Sequence, residues 1–131
     1  MRPSWRSPVF ARSGPNFTDN GFHNIGLASY AQAEPDMGRY AQKPVNAMKG
    51  AFKTPTVREV ARTAPYFHDG SASTLMQVVD YYDRGGDVRT NPAMELQPLH
   101  LTSEDKLALV AFLESLSSPY VAITIPELPA H

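Results

Sequence analysis

The sequence has no cysteine among its 131 residues, which excludes disulfides and thiolate metal sites. Its formal net charge of -1 gives no electrostatic reason to expect nucleic acid, because a strongly basic face is the usual footprint of such binding. No apolar run approaches the roughly 20 residues of a membrane span. Residues 1–12 lack the apolar core of a secretory signal.

Proline is abundant, with 12 of 131 residues, about twice its average share of ~5%. Because proline breaks helix interiors, short helices joined by long ordered loops are expected. The apolar share of 42% permits one hydrophobic core, and the length suits one compact domain. The sequence therefore predicts an all-α, loop-rich domain over residues 14–118, with an irregular or extraneous segment at 1–13 and a tail at 119–131.

Two short helices are predicted in the middle of the chain. The first begins after an N-cap at Thr54, places Val57 and Val60 on one face, and ends before Pro65. The second is capped by Ser73 or Thr74, runs to about residue 83 and stops at the glycine pair 85–86.

The last helix has the clearest pattern. Thr102 and Asp105 are spaced as a capping box. The apolar residues that follow recur at i, i+3, i+4 and i+7, which predicts a buried stripe: Leu109, Phe112, Leu113 and Leu116.

Six segments, in order, resemble the bacterial di-haem cytochrome c peroxidase family, including its MauG-like branch. They are FTDNGFHNIG at 17–26, DMGRY at 36–40, GAFKTPTVR at 50–58, TAPYFHDGS at 63–71, TLMQVVDYYDRGG at 74–86 and LTSEDKLALVAFL at 101–113. The resemblance is to the C-terminal haem domain, so it implies a cytochrome c-like fold of short helices and long proline-rich loops.

In that family a Cys-x-x-Cys-His-x-Gly motif directly precedes the first segment and binds haem covalently. Gly14 matches its glycine, but Pro8, Ala11 and Arg12 stand where the two cysteines and the histidine belong. These side chains form no thioether, and arginine offers iron no lone pair. Covalent haem c is therefore not expected on this chain. Either the natural gene lost the motif, or the sequence is a fragment cut or scrambled just after it.

The second predicted helix places Leu75, Val78, Val79 and Tyr82 on one face, with Tyr81 rotated by about 100° from it. In the family this helix carries the distal haem ligand, a methionine or, in the MauG-like branch, a tyrosine. The resemblance therefore implies that Tyr82 is a haem ligand. The alternative is an ordinary core aromatic with a hydrogen-bonded hydroxyl.

The resemblance implies further cofactor-binding residues. It places His68 beside the haem, near its propionates, with Arg58 and Lys53 as further propionate partners. It also implies a weak calcium site at the backbone carbonyls of Thr63 and Pro65, whose other ligands lie in another domain. A loop-locking histidine and solvated surface cations are the alternatives.

For the intact parent, the resemblance implies a periplasmic oxidoreductase that transfers electrons and reduces hydrogen peroxide, with an N-terminal haem domain and an electron-donor protein as partners. This chain alone is expected to be catalytically silent. The rival hypotheses are a module that binds haem or a metal non-covalently, and a structural remnant that forms a homodimer through its emptied pocket. His23 is interpreted as a surface or loop-packing residue.

Overall fold

The structure is a computed structural model, and it describes residues 14–88, 96–119 and Ala122. In chain order its strands and α-helices are β1 (Phe22–His23), β2 (Phe52–Lys53), α1 (Leu75–Arg84) and α2 (Ser103–Ser115). Single 3-10 turns lie at Ala28–Ala31, Arg39–Ala41, Asn46–Met48 and Val60–Arg62. Within these ranges no helix has both the length and the apolarity needed to cross a bilayer.

The predicted all-α class is wrong. Strands β1 and β2 pair antiparallel, with Phe22 opposite Lys53 and His23 opposite Phe52, and the described residues contain two α-helices. Turn-forming residues interrupt the chain between the strands every few positions, so no segment there is long enough to nucleate an α-helix. The backbone groups are instead paired through 3-10 turns and a short hairpin-like ladder.

The helix predicted to begin after Thr54 is also not formed as expected. Residues 54–59 are irregular, and Glu59 adopts a left-handed backbone conformation with φ of 59°. Only one 3-10 turn follows, at Val60–Arg62. The left-handed residue prevents α-helical continuation from the cap, because an α-helix requires negative φ at every position.

Helix α1 has the predicted ends. The Gln77 amide donates to the Thr74 hydroxyl over 3.2 Å, and the Gln77 side-chain oxygen accepts from the Thr74 amide. Gly85 ends the helix in the left-handed region with φ of 78°, where glycine avoids the penalty that a Cβ would impose. Both boundaries were predicted from local signals, and both are confirmed.

The most deeply buried aromatic of α1 is Tyr81, at 2% exposure, and it packs with Leu27 and Leu96. Its hydroxyl donates to the Ile25 carbonyl over 2.8 Å. Burial raises the pKa of Tyr81, because the charged phenolate would be desolvated. The sequence pattern had placed Tyr81 off the apolar face; a second buried face exists because the 24–27 loop covers that side of the helix.

Helix α2 begins with the predicted capping box between Thr102 and Asp105, which is confirmed. Its apolar stripe, however, is not buried as expected. Leu109 is 40% exposed and Phe112 is 48% exposed. The stripe borders a cavity instead of another element, and the apolar residues of α2 are not confined to it, because Leu107 is exposed and does not line the cavity.

An ion bridge joins the two α-helices. The Lys106 ammonium on α2 lies 2.9 Å from Asp80 and 2.7 Å from Asp83, both on α1. Asp83 also accepts from the Leu101 amide over 2.8 Å, which ties in the loop before α2. The Lys106 bond and then the Leu101 amide hold the pKa of Asp83 below its ordinary value.

We predict that Lys106→Met lowers the thermal unfolding midpoint by a few degrees at pH 7, because it keeps the apolar stem but leaves two carboxylates without their cation. The lowered pKa of Asp83 means that its contribution is present above the unfolded-state pKa and is lost as pH falls through the folded-state pKa. The difference between variant and wild type should therefore shrink in acid. Melting curves from pH 7 to pH 3 measure this difference in unfolding midpoint, and Lys43→Met, at an exposed lysine, is the control. The same difference in midpoint at every pH would contradict the prediction.

Candidate functional site

A cavity of about 930 Å³ lies between the two α-helices, the strand pair and the 63–68 loop. Its volume falls within the range of roughly 300–1,000 Å³ typical of ligand and cofactor pockets. Three groups of residues line it: Phe17, His23, Ile25, Leu27 and residues 52–57 from the strand side; Val60, Thr63, Pro65, Tyr66, Phe67 and His68 from the loop; and Leu75, Val78, Val79, Tyr82, Leu99, Leu101, Leu109, Phe112 and Leu113 from the helical side.

The helical wall of the cavity is apolar. Helix α1 contributes Leu75, Val78 and Val79, and α2 contributes Leu109 and Phe112. The α2 residues stay about half exposed although they are large hydrophobics. Contiguous apolar surface of this kind marks a place where a ligand or partner binds, because leaving it in water is unfavourable.

On the strand and loop side, the cavity has a polar edge that carries His23, Lys53 and His68. Each histidine is paired with a carboxylate through its Nε2 atom. The His23 atom lies 2.7 Å from Asp19, and the His68 atom lies 2.9 Å from Asp36. These bonds fix the orientation of both rings at the cavity edge.

The strand pair positions His68 through a ring stack. Phe52 on β2 lies parallel to the imidazole, with 3.7 Å between ring centroids and 18° between planes. The Gly38 amide and then His68 hold the pKa of Asp36 below its ordinary value. Asp36 is therefore held in its ionised form beside the His68 ring.

Tyr82, the predicted haem ligand, lies in the cavity wall and is half-buried. Its ring meets that of Tyr81 edge-on, with 6.1 Å between centroids, and lies 6.3 Å from the Phe67 ring. The buried, hydrogen-bonded Tyr81 thus supports Tyr82 from behind. The ligand role itself stays a prediction.

The structure brings Lys53, His68, Tyr82, Thr63 and Pro65 together around one cavity. Arg58 is the exception, because it does not line the cavity. Its guanidinium donates to the Pro15 carbonyl. Pro8, Ala11 and Arg12 lie outside the described residues.

No cluster of three or more His, Cys, Asp or Glu side chains able to hold a metal occurs in the ranges that the structure describes. The calcium site at Thr63 and Pro65 therefore remains a prediction, and it concerns backbone carbonyls alone.

The sequence interpretation gave His23 a surface or loop-packing role, and the structure shows it bonded to Asp19 of the preceding loop while it also lines the cavity. A usable signal was the aspartate four residues before it, since Asp19 is the partner that orients the ring. Phe17 was likewise not singled out. Its place in the wall depends on contacts with distant residues, which no local pattern reports.

A cavity of this volume with an apolar wall, polar side chains and a wall tyrosine is typical of domains that bind a small molecule or cofactor. Comparisons with known proteins narrow this class. The methylamine utilization protein MauG of Methylorubrum extorquens is 43% identical over 115 residues, which are 86% of this chain and 31% of that protein. Cytochrome-c peroxidase IdrP2 of Denitromonas iodatirespirans is 44% identical over 104 residues, or 79% of this chain and 27% of that protein.

A solved structure described as a MauG-like protein associated with microbial copper homeostasis matches with a TM-score of 0.67 and 32% identity. The match covers 74% of this chain and 32% of that one. No family model matches the sequence. The chain belongs to the MauG and di-haem cytochrome c peroxidase family of oxidoreductases, and it spans about a third of the length of the curated relatives.

We predict that the apolar wall binds 8-anilinonaphthalene-1-sulfonate (ANS), a dye that fluoresces on exposed hydrophobic surface. Phe112→Ser should clearly reduce the fluorescence, because it removes the one aromatic side chain of α2 from the wall. Leu107→Ser is the matched control, since Leu107 is 62% exposed on the same helix but does not line the cavity. Equal losses in both variants would show that the dye binds elsewhere.

Proposed function

We propose that this chain is the haem-enclosing domain of a peroxidase-like oxidoreductase and that it holds haem without thioether bonds. The observation that carries the proposal is the cavity of about 930 Å³ with its half-exposed apolar wall. Haem is a flat, largely apolar macrocycle with carboxylates on one edge. The apolar helical wall suits the macrocycle, and the Lys53 ammonium and the histidine N–H groups of the polar edge suit the carboxylates.

The non-covalent mode follows from composition. Thioether attachment requires cysteine, and none occurs in the 131 residues. Retention then depends on apolar burial, on bonds to the carboxylates and on coordination. Lys53 and His68 at the cavity edge are the proposed carboxylate partners, with His23 as a third that the structure adds.

Tyr82 is the proposed iron ligand from this chain. Tyrosine ligates haem iron in some haem enzymes, and an anionic oxygen favours the higher oxidation states of iron. When bound, haem supplies one-electron redox chemistry. The protein's own part is to present the Tyr82 oxygen, to exclude water with the α1 and α2 side chains, and to hold the cofactor edge with its cations.

The wider setting is proposed from the family. By the family resemblance, we infer a periplasmic di-haem parent in which a second, N-terminal haem domain accompanies this one. We propose that the present domain works with such a domain in electron transfer and peroxide reduction, and that it is inactive without it. The family's calcium, at Thr63 and Pro65, would be held weakly here because the remaining ligands come from that other domain.

A second candidate is self-association through the same apolar wall, favoured by the exposure of Leu109 and Phe112. Haem binding and self-association compete for one surface. Light scattering with and without haemin separates them, since haemin should dissociate a dimer that uses this wall.

Haemin titration tests the proposal. We expect a shifted Soret band and a phenolate-to-iron charge-transfer band with the wild-type chain. Tyr82→Phe should lose the charge-transfer band and bind about tenfold more weakly, a difference of about 1.4 kcal/mol. Tyr40→Phe, which lies outside the cavity, should match wild type.

Two outcomes count against the proposal in different ways. An unshifted Soret band at stoichiometric haemin would reject the cavity as a haem site. Identical spectra for the wild type and Tyr82→Phe would reject only the ligand role of Tyr82.

A further inference from the structure

The segment of residues 14–18, here called the strap, closes one side of the cavity. Phe17 lines the cavity, and its ring meets that of Phe112 on α2 edge-on, with 6.3 Å between centroids and 70° between planes. The strap therefore spans from the strand side of the cavity to the helical wall. Parting Phe17 from Phe112 would therefore widen the cavity on this side.

Side chains from residues 54–58, together with one from the strap itself, fasten the strap. The Arg58 Nε atom donates to the Pro15 carbonyl over 3.1 Å, and a second guanidinium nitrogen donates to the same oxygen. The Thr56 hydroxyl donates to the Asn16 carbonyl over 2.7 Å. From the strap side, the Thr18 hydroxyl donates to the Thr54 carbonyl over 2.7 Å.

Arg58 makes two kinds of contact with the strap at once. Besides holding Pro15, its guanidinium carbon lies 5.5 Å from the centre of the Phe17 ring, within the distance of a cation–π interaction. One side chain thereby fixes both the backbone of the strap and the aromatic that seals the cavity.

The strap has little else to hold it. Within the described ranges, its one backbone–backbone hydrogen bond is internal, from the Phe17 amide to the Gly14 carbonyl over 3.0 Å. Phe17 also adopts a left-handed φ of 49°, which is unfavourable for an aromatic residue. The side-chain hydrogen bonds are therefore needed to hold the strap, because within the described residues no strand pairs with it and Phe17 has an unfavourable backbone conformation.

We propose that Arg58 is a positioning residue that latches the strap over the cavity and thereby sets the rate at which a bound ligand leaves. The ligand's identity as haem rests on the proposed function above. The latch does not, because it is built from contacts among residues of this chain alone.

The first test measures haemin release to an excess of apomyoglobin, which captures the freed haemin. Arg58→Gln should release haemin about fivefold to tenfold faster, since it loses the two charge-assisted hydrogen bonds to the Pro15 carbonyl. Arg58→Lys keeps the charge but not the planar fork, so it should fall between wild type and Arg58→Gln. Arg39→Gln is the control, because Arg39 also stacks on an aromatic, Phe22 at 4.8 Å, but does not line or latch the cavity.

The second test follows amide hydrogen exchange of residues 16–18 without haemin. Exchange should be faster in Arg58→Gln than in wild type and unchanged in Arg39→Gln. Equal exchange in Arg58→Gln and wild type would overturn the latch whether or not haemin binds. Faster exchange with unchanged haemin release would overturn the claim that the latch sets the rate of ligand release. If the chain binds no haemin, the proposed function fails, but the exchange result still tests the latch.

Discussion

The ion bridge from Lys106 to Asp80 and Asp83 is the contact on which the cavity depends, because it fixes how the two α-helices meet. It joins the second half of α1 to the first turn of α2. Most cavity-lining residues of the helices lie toward the other ends, Leu75, Val78 and Val79 in the first half of α1 and residues 109–113 in the second half of α2. Tyr82 is the exception, because it lines the cavity from the second half of α1, next to the ion bridge. The large hydrophobic side chains of the α2 wall stay about half exposed.

Next to that wall, the two tyrosines of α1, Tyr81 and Tyr82, have different roles. Tyr81 is buried and bonded to the Ile25 carbonyl, so it anchors the helix to the loop that forms the far side of the cavity. Its raised pKa keeps it a neutral donor. Tyr82 leans edge-on against it and lines the cavity. Tyr81 does not line the cavity, so it supports the position of Tyr82 only through this ring contact.

Sequence patterns predicted the features that local interactions decide. The caps at Thr74 and Thr102 and the stop at Gly85 each depend on bonds within a few residues. The errors arose where distant contacts decide. An amphipathic stripe shows which face of α2 is apolar but not whether another element covers it. Likewise, the pairing of His23 with Phe52 joins segments 29 positions apart, so the all-α prediction could not anticipate it. The six family-like segments predicted the family, which the relatives confirm.

Because the sequence has no cysteine, the cavity of the proposed haem domain would have to retain its cofactor without thioether bonds. A covalently attached cofactor stays whatever the surrounding chain does, whereas a non-covalent one remains only as long as its exit is slow. Burying apolar surface contributes roughly 25 cal/mol per Å², so a closed wall retains a flat ligand far better than an open one. Each contact that covers the wall then bears on retention. Under the proposed non-covalent mode, the contact of Phe17 in the strap with Phe112 therefore contributes to retention in a way that it would not beside thioether bonds.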